Sequence, residues 1–227
     1  MSHDPFKEFL FLKTSSTVAP QPPLSFSIII EQDHSRINAV ALQLRKLLSL
    51  KKQQCAELRQ QQLKGLQVVA WRLVRHDISE HIVMRPAFVQ YLGSEGEAMI
   101  RHDRDDHDHA RRELLDLYSC FEQLRPDDMS GFKKLRQRYI VLMKDLTEHM
   151  KSESGTNVPR LESVLGNGES EELGRQYLRT KVLKPDLELQ GIRVWKDVSD
   201  YINETSEGLW NAWRRLEVEE AKKDSKL

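Results

Sequence analysis

His76 and Glu80 stand four residues apart, and so do His149 and Glu153. On a helix that spacing puts both side chains on one face, one turn apart. An imidazole and a carboxylate aimed the same way are a nitrogen and an oxygen donor for a metal ion. Two further histidines, His34 and His107, complete an order along the chain: His, His-x-x-x-Glu, His, His-x-x-x-Glu. One such spacing arises by chance in charged helices. Two of them, interleaved with two histidines, point to a site shared by four helices.

The composition supplies those helices. The chain has 227 residues, of which 39% are apolar, with only 10 glycines and 8 prolines. Leu, Glu, Arg, Lys and Gln are abundant, and all are good helix formers. Lys+Arg and Asp+Glu are equal at 35 each, so no basic field points to nucleic acid or to an anionic membrane. No apolar run approaches the roughly 20 residues needed to span a bilayer. Two cysteines, Cys55 and Cys120, form no disulfide framework, which fits a reducing, cytoplasmic setting. Nothing here decides the oligomeric state.

The expected architecture is all-α: an up-down-up-down four-helix bundle over residues 26–165, after an irregular leader (1–25) and before a helical C-terminal extension (166–227). Pro20, Pro22 and Pro23 bar a regular helix in the leader. The helices are expected over about Phe26–Leu50, about Cys55–Leu92, from Ser94 to just before Pro126, and from about Phe132 to Ser152 or beyond. Ser94 is read as an N-cap with Glu97 in the capping-box position. Pro126–Gly131 is read as a loop, and Gly155 and Pro159 as the close of the fourth helix. In the extension, Asn167 and Gly168 mark a loop before a short helix over Glu169–Lys181, and a final amphipathic helix spans Ile192–Glu219.

Each bundle helix carries a stripe with steps of three and four. The stripes are Ile30, His34, Ile37, Ala41, Leu44, Leu48; Leu66, Val69, Leu73, His76, Glu80, Val83, Ala87; Ile100, Asp103, His107, Ala110, Leu114, Leu117, Phe121; and Leu135, Tyr139, Leu142, Leu146, His149, Glu153. Titratable residues thus sit in seams where Leu or Ile is expected. Burying them is costly unless they are paired or metal-bound. In an up-down-up-down bundle, at about 1.5 Å per residue, the four histidines agree in height within roughly 9 Å.

Four histidines and two glutamates, with no thiolate, suit iron, manganese or zinc better than an iron–sulfur cluster. Six donors exceed what one tetrahedral ion needs. Two ions, bridged by Glu80 and Glu153 with the histidines as terminal ligands, use them well. Trp71, Trp195, Trp210 and Trp213 read as packing residues. Tyr139 is a core residue or part of a small-ligand pocket, with Met84, Leu142 and Leu146 as apolar walls. His102, Asp105, Asp106, Asp108 and His109 read as a solvated face.

These residues resemble the hemerythrin-like, or HHE cation-binding, family. The likeness covers about residues 28–165. It rests on Asp33-His34, Arg75-His76-Asp77-Ile78-Ser79-Glu80, Arg85-Pro86-Ala87-Phe88, His102-Asp103-Arg104-Asp105-Asp106-His107, Glu148-His149-Met150-Lys151-Ser152-Glu153 and Asn157-Val158-Pro159-Arg160-Leu161. With Tyr91-Leu92-Gly93 and Arg179-Thr180-Lys181 it is nearest to fungal members. The resemblance implies a non-heme, carboxylate-bridged site for two iron ions in a four-helix bundle, whose partner is O2, nitric oxide or iron itself. Such a centre usually has seven protein ligands. Asp103, where the family often has histidine, is the first choice for the seventh and Asp77 the second. Where the family often follows the first glutamate with another, this chain has His81. Two other functions stay open: a diiron oxidase or oxygenase acting on an organic substrate, and a helical interaction module without metal.

Overall fold

In a computed structural model the described residues are 24–50, 56–180, 198–203, 208 and 211. Every regular element among them is helical. Helix α1 spans Phe26–Leu48 and α2 spans Ala56–Ser79. Over Glu80–Met84 the same rod widens into a π-helical segment, then resumes as α3, Arg85–Leu92. Helix α4 spans Ser94–Gln123 and α5 spans Met129–Ser152. A second π segment, Glu153–Asn157, leads into α6, Val158–Glu162. Helices α7 (Asn167–Arg179) and α8 (Val198–Asn203) belong to the C-terminal extension.

The four long helices pack in a ring: α1 on α2 and α5, and α4 on α5 and α2. Helix α7 lies on α1 and on the first π segment, and α8 touches α2 and α4. All the predicted stripe residues are buried except His149, which is half-buried. Hydrophobic burial of this kind contributes about 1.5–3 kcal/mol per large side chain and drives the assembly.

The apolar interior divides into two clusters. The larger runs from Ile37 to Leu48 on α1 and takes in Leu66–Ile78, Ala110–Phe121 and Phe132–Met150 from the other helices. The smaller gathers Phe26, Ile30, Val83, Phe88, Ile100, Val158, Leu161 and Tyr177. His34, Glu80, Asp103, His107 and Glu153 lie between the two, and His76 and His149 stand at the edge of the larger cluster. His34 falls between Ile30 and Ile37, and Asp103 and His107 between Ile100 and Ala110. Glu153 falls between Met150 and Val158. The polar residues therefore form one layer with oil above and below.

Several boundaries differ from expectation. Ser94 is the first residue of α4, not its cap; Gly93 holds that place with φ 54. The left-handed backbone favours glycine there, and no side-chain capping bond forms. The turn is tight: a Cβ on Gly96 would stand 2.1 Å from the Phe88 carbonyl oxygen. Helix α5 starts earlier than Phe132, because Asp128 caps it by accepting from the Gly131 N–H at 2.8 Å. Gly155 and Pro159 do not close the fourth rod. The π segment takes in Gly155, and Pro159 enters α6 at its second residue, as Pro86 enters α3. A π turn frees the carbonyl that proline cannot serve, so the rod bends but continues. Asn167 and Gly168 are helical, and Gly166 precedes them as the cap.

The leader up to residue 23, Cys55, Trp195, Trp210, Trp213 and most of the final helix lie outside the described residues. Trp71 packs in the larger cluster, and Cys120 is an exposed thiol. No helix among the described residues is long and apolar enough to cross a membrane.

Candidate metal centre

The site is built where the two rods widen. Glu80 and Glu153 are each the first residue of a π segment, so each His-x-x-x-Glu pair ends where regular helix stops. Widened turns recur at functional sites because they re-aim side chains that an α-helix would stagger.

All four imidazoles turn Nε2 toward the same space. His76 Nε2 lies 2.6 Å from Glu80 Oε1, and His107 Nε2 lies 2.9 Å from Glu80 Oε2. Glu80 thus spans the two halves of the site with its two oxygens. Glu153 Oε2 stands 3.3 Å from His34 Nε2, 4.0 Å from His76 Nε2 and 3.8 Å from His149 Nε2. Asp103 Oδ1 lies 3.4 Å from His107 Nε2 and 3.6 Å from His149 Nε2. The ligand atoms fall into two groups: His34, His76, Glu80 and Glu153, and then Asp103, His107 and His149. Ring centroids repeat the division, 4.9 Å apart within each histidine pair and 5.6 Å between His76 and His107.

Three of the rings are held from behind by a hydrogen bond at Nδ1, and the fourth faces a carboxylate there. His34 meets Ser154 Oγ at 2.8 Å, and His149 meets Asp106 Oδ2 at 2.8 Å. His76 meets the Tyr177 hydroxyl at 2.8 Å. His107 faces Asp77 Oδ1 at 3.7 Å. An outer partner on Nδ1 leaves the Nε2 lone pair facing the centre, as a metal-binding histidine requires. Tyr177 itself donates to Asp33 Oδ2 at 3.1 Å, and Asp33 is paired with Arg75.

Of the two candidates for the seventh donor, the structure brings Asp103 inward and keeps Asp77 behind. Asp77 accepts from Arg85 Nη2 at 2.6 Å and Arg111 Nη1 at 3.2 Å, on the Nδ1 side of His107. Asp103 gives only Oδ2 to Arg85 Nε, at 2.6 Å. Its Oδ1 has no hydrogen-bond partner.

Oδ1 of Asp103 is one of a set. The buried atoms His34 Nε2 and both oxygens of Glu153 lack a hydrogen-bond partner as well, and the oxygens of Glu80 meet only the Nε2 atoms of His76 and His107. Buried polar atoms left so are costly, and rarely gather. A cation satisfies them together. Donors on one ion at about 2.0–2.2 Å stand about 3 Å apart when at right angles, close to the separations within each group. The donor set therefore fits metal.

The protonation pattern agrees. Burial and the neighbouring His76 push His34 down to about 3, so its ring is neutral. Burial opposes protonation of His76, but Glu80 and Asp33 carry it up to about 10. His107 rises for the same reason beside Glu80 and Asp77. Glu80 lies well below the ordinary carboxylate range: burial opposes its ionisation, and His76 and His107 overcome it. Burial, with Glu80 close by, raises Glu153 to about 8. In the metal-free protein these groups hold protons where a cation would put positive charge.

The solvated face is only partly solvated. His102 and His109 are exposed as expected, but Asp106 bonds to His149. His81 is half-buried and stands in neither ligand group. Tyr139 is a core residue: it is fully buried and donates to the Ala41 carbonyl at 2.9 Å. Sequence reasoning missed Tyr177, Ser154, and the support given by Asp33 and Asp106. Asp33 and Asp106 adjoin predicted ligands, which is the one signal that could have found them.

Fold and site together define an all-helical protein with a buried histidine–carboxylate centre suited to metal. The chain is 31% identical over 115 residues to an uncharacterized hemerythrin-like protein of Schizosaccharomyces pombe. That similarity covers 51% of this chain and 53% of the relative, so the chain spans about half the length of the curated relative it matches. It supports the hemerythrin-like resemblance and its fungal direction. No family model matches the chain, and no solved structure matches it.

Proposed function

We propose that the chain is a hemerythrin-like protein in which an up-down-up-down bundle carries a dinuclear iron centre that binds O2, nitric oxide or iron itself. His34 and His76 would hold one ion, and Asp103, His107 and His149 the other, with Glu80 and Glu153 shared. The observation that carries this reading is the position of Glu80, whose two oxygens face His76 and His107, one from each half. A carboxylate so placed could bridge two cations, one held by each half, in place of the protons that His76 and His107 carry without metal.

Bound iron would supply the electrons that a diatomic ligand accepts. The chain's own residues do the rest. The Nδ1 partners orient the rings, the two apolar clusters flank the layer, and Glu80 and Glu153 would offset the charge of the ions. Manganese and zinc accept the same donors, so the metal is a question for analysis. The test is metal content of the full chain purified without chelator, followed by optical spectra of the iron-loaded protein with O2 and with nitric oxide. Two irons per chain and new visible bands are expected. A chain that takes up no stoichiometric metal would instead be the helical interaction module.

A further inference from the structure

The two halves of the centre differ in their access to solvent. His34 and His76 are 5% and 1% exposed, and their outer partners Ser154 and Tyr177 close the space behind them. The other half meets a cavity of ≈ 390 Å³ between α4 and α5, whose floor includes Asp103 and His149. Asp103 is nine-tenths buried, and its Oδ1 has no hydrogen-bond partner. The cavity reaches the surface, since His102 and Glu148 on its rim are 79% and 64% exposed at the side chain.

The lining is chemically one-sided. Asp103, Asp106, Asp145 and Glu148 contribute to it beside His102, His109 and His149, no lysine or arginine does, and at the rim Glu148 Oε1 lies 3.6 Å from Lys144 Nζ. Its wall is apolar, formed by Ala110, Leu142 and Leu146. Asp106 links mouth to floor: Oδ2 lies 3.8 Å from His102 Nδ1 at the rim and 2.8 Å from His149 Nδ1 within. A water takes about 30 Å³, so the volume holds roughly a dozen waters, enough for a cation with its hydration shell. Low-dielectric walls with charge of one sign concentrate the opposite ion.

From this we propose that divalent cations reach the centre through the cleft between α4 and α5, guided by Asp145 and Glu148, and that the ion at Asp103, His107 and His149 is the exchangeable one. The inference rests on the dinuclear reading. It adds a route: every cation passes the half beside the cleft on the way in.

Cobalt(II) is a suitable probe, since its visible spectrum reports binding without redox chemistry. Metal-free full-length protein is mixed with cobalt(II) and uptake is followed in time, for the wild type, the double variant Asp145→Asn/Glu148→Gln, and Glu31→Gln on the exposed face of α1 near His34. Both rim residues are exposed, so folding is retained, and circular dichroism checks it. The double variant is expected to load about three- to tenfold more slowly at low salt, to reach the same two cobalt ions per chain, and to match the wild type at about 1 M salt, where screening acts within about 3 Å. Glu31→Gln is expected to load at the wild-type rate. Equal rates for the double variant and the wild type, or equal slowing by Glu31→Gln, overturn the route. A wild type that never takes up two ions sinks the dinuclear reading itself, a different result at the end point rather than in the rate.

Discussion

The hydroxyl of Tyr177 stands 2.8 Å from Nδ1 of His76, a residue 101 positions earlier in the chain. Because Tyr177 donates its own proton to Asp33, it accepts from His76 and so fixes the ring's tautomer. Tyr177→Phe keeps the aromatic packing and removes that acceptor. Metal affinity is expected to fall about 10–100-fold, the usual cost of losing such a partner, with the fold retained. A chelator competition titration measures it, and an unchanged affinity would show that Tyr177 only packs.

His76→Ala and His149→Ala lie in opposite halves, yet each is expected to lose both ions. In the proposed dinuclear centre Glu80 and Glu153 would be shared, so removing one ion would leave the other with unbalanced carboxylates. Metal per chain after dialysis decides this. One ion retained by either variant would mean two independent sites.

Asp103→Asn and Asp77→Asn separate the two aspartates. Asp103→Asn is expected to lose both ions, as His149→Ala does, because it removes a donor from the half beside the cleft. Asp77→Asn is expected to keep two ions but to weaken the fold by about 3–5 kcal/mol, the range for breaking a buried ion pair, because Arg111 and Arg85 lose a partner. Denaturant unfolding and metal analysis of the same samples make the comparison.

Uptake of metal depends on pH with a definite sign. His76 at about 10 and Glu153 at about 8 hold protons at pH 7. A cation has to displace them, so affinity rises as pH rises from 6 toward 8 and protons are released on binding. Adding zinc to weakly buffered metal-free protein at pH 7 is expected to acidify the solution. No acidification would mean that neither group holds a proton there.

Gly174 marks the close approach of α7 to α1. A Cβ there would stand 2.6 Å from Ile29 Cδ1 and 2.8 Å from the Leu24 carbonyl oxygen. Gly174→Ala is expected to lower stability by about 1–3 kcal/mol and to loosen α7 first, exposing the segment around Tyr177 to protease. An equally protected segment would contradict this.

The seams were readable because burial imposes a period of 3.6, and His34, Asp103 and His107 interrupt it with groups that do not belong in oil. A common height for the four histidines was expected from helix rise in an assumed up-down-up-down bundle. The π segments were not readable, since Gly155 and Pro159 signal a helix end to any rule based on hydrogen-bond donors. A widened turn satisfies those donors by another route. Tyr177 was hidden for a different reason: its partner lies far away in sequence, and nothing periodic connects the extension to His76. Asp103 came before Asp77 because it lies on the seam, but the pairing of Asp77 with Arg85 and Arg111 was not legible in residue order.

The two widened turns give a more selective pattern for reading other chains. Each glutamate is followed at the sixth residue by a proline, Pro86 after Glu80 and Pro159 after Glu153. That proline occupies the second position of the resumed helix both times. His-x-x-x-Glu alone is common in charged helices. His-x-x-x-Glu-x-x-x-x-x-Pro states in addition that the rod gives way at the carboxylate and then recovers. Where the proline is missing from one half, a rod free to stay α-helical past the glutamate would point that carboxylate elsewhere, and the chain would be a poor candidate for a shared pair of ions.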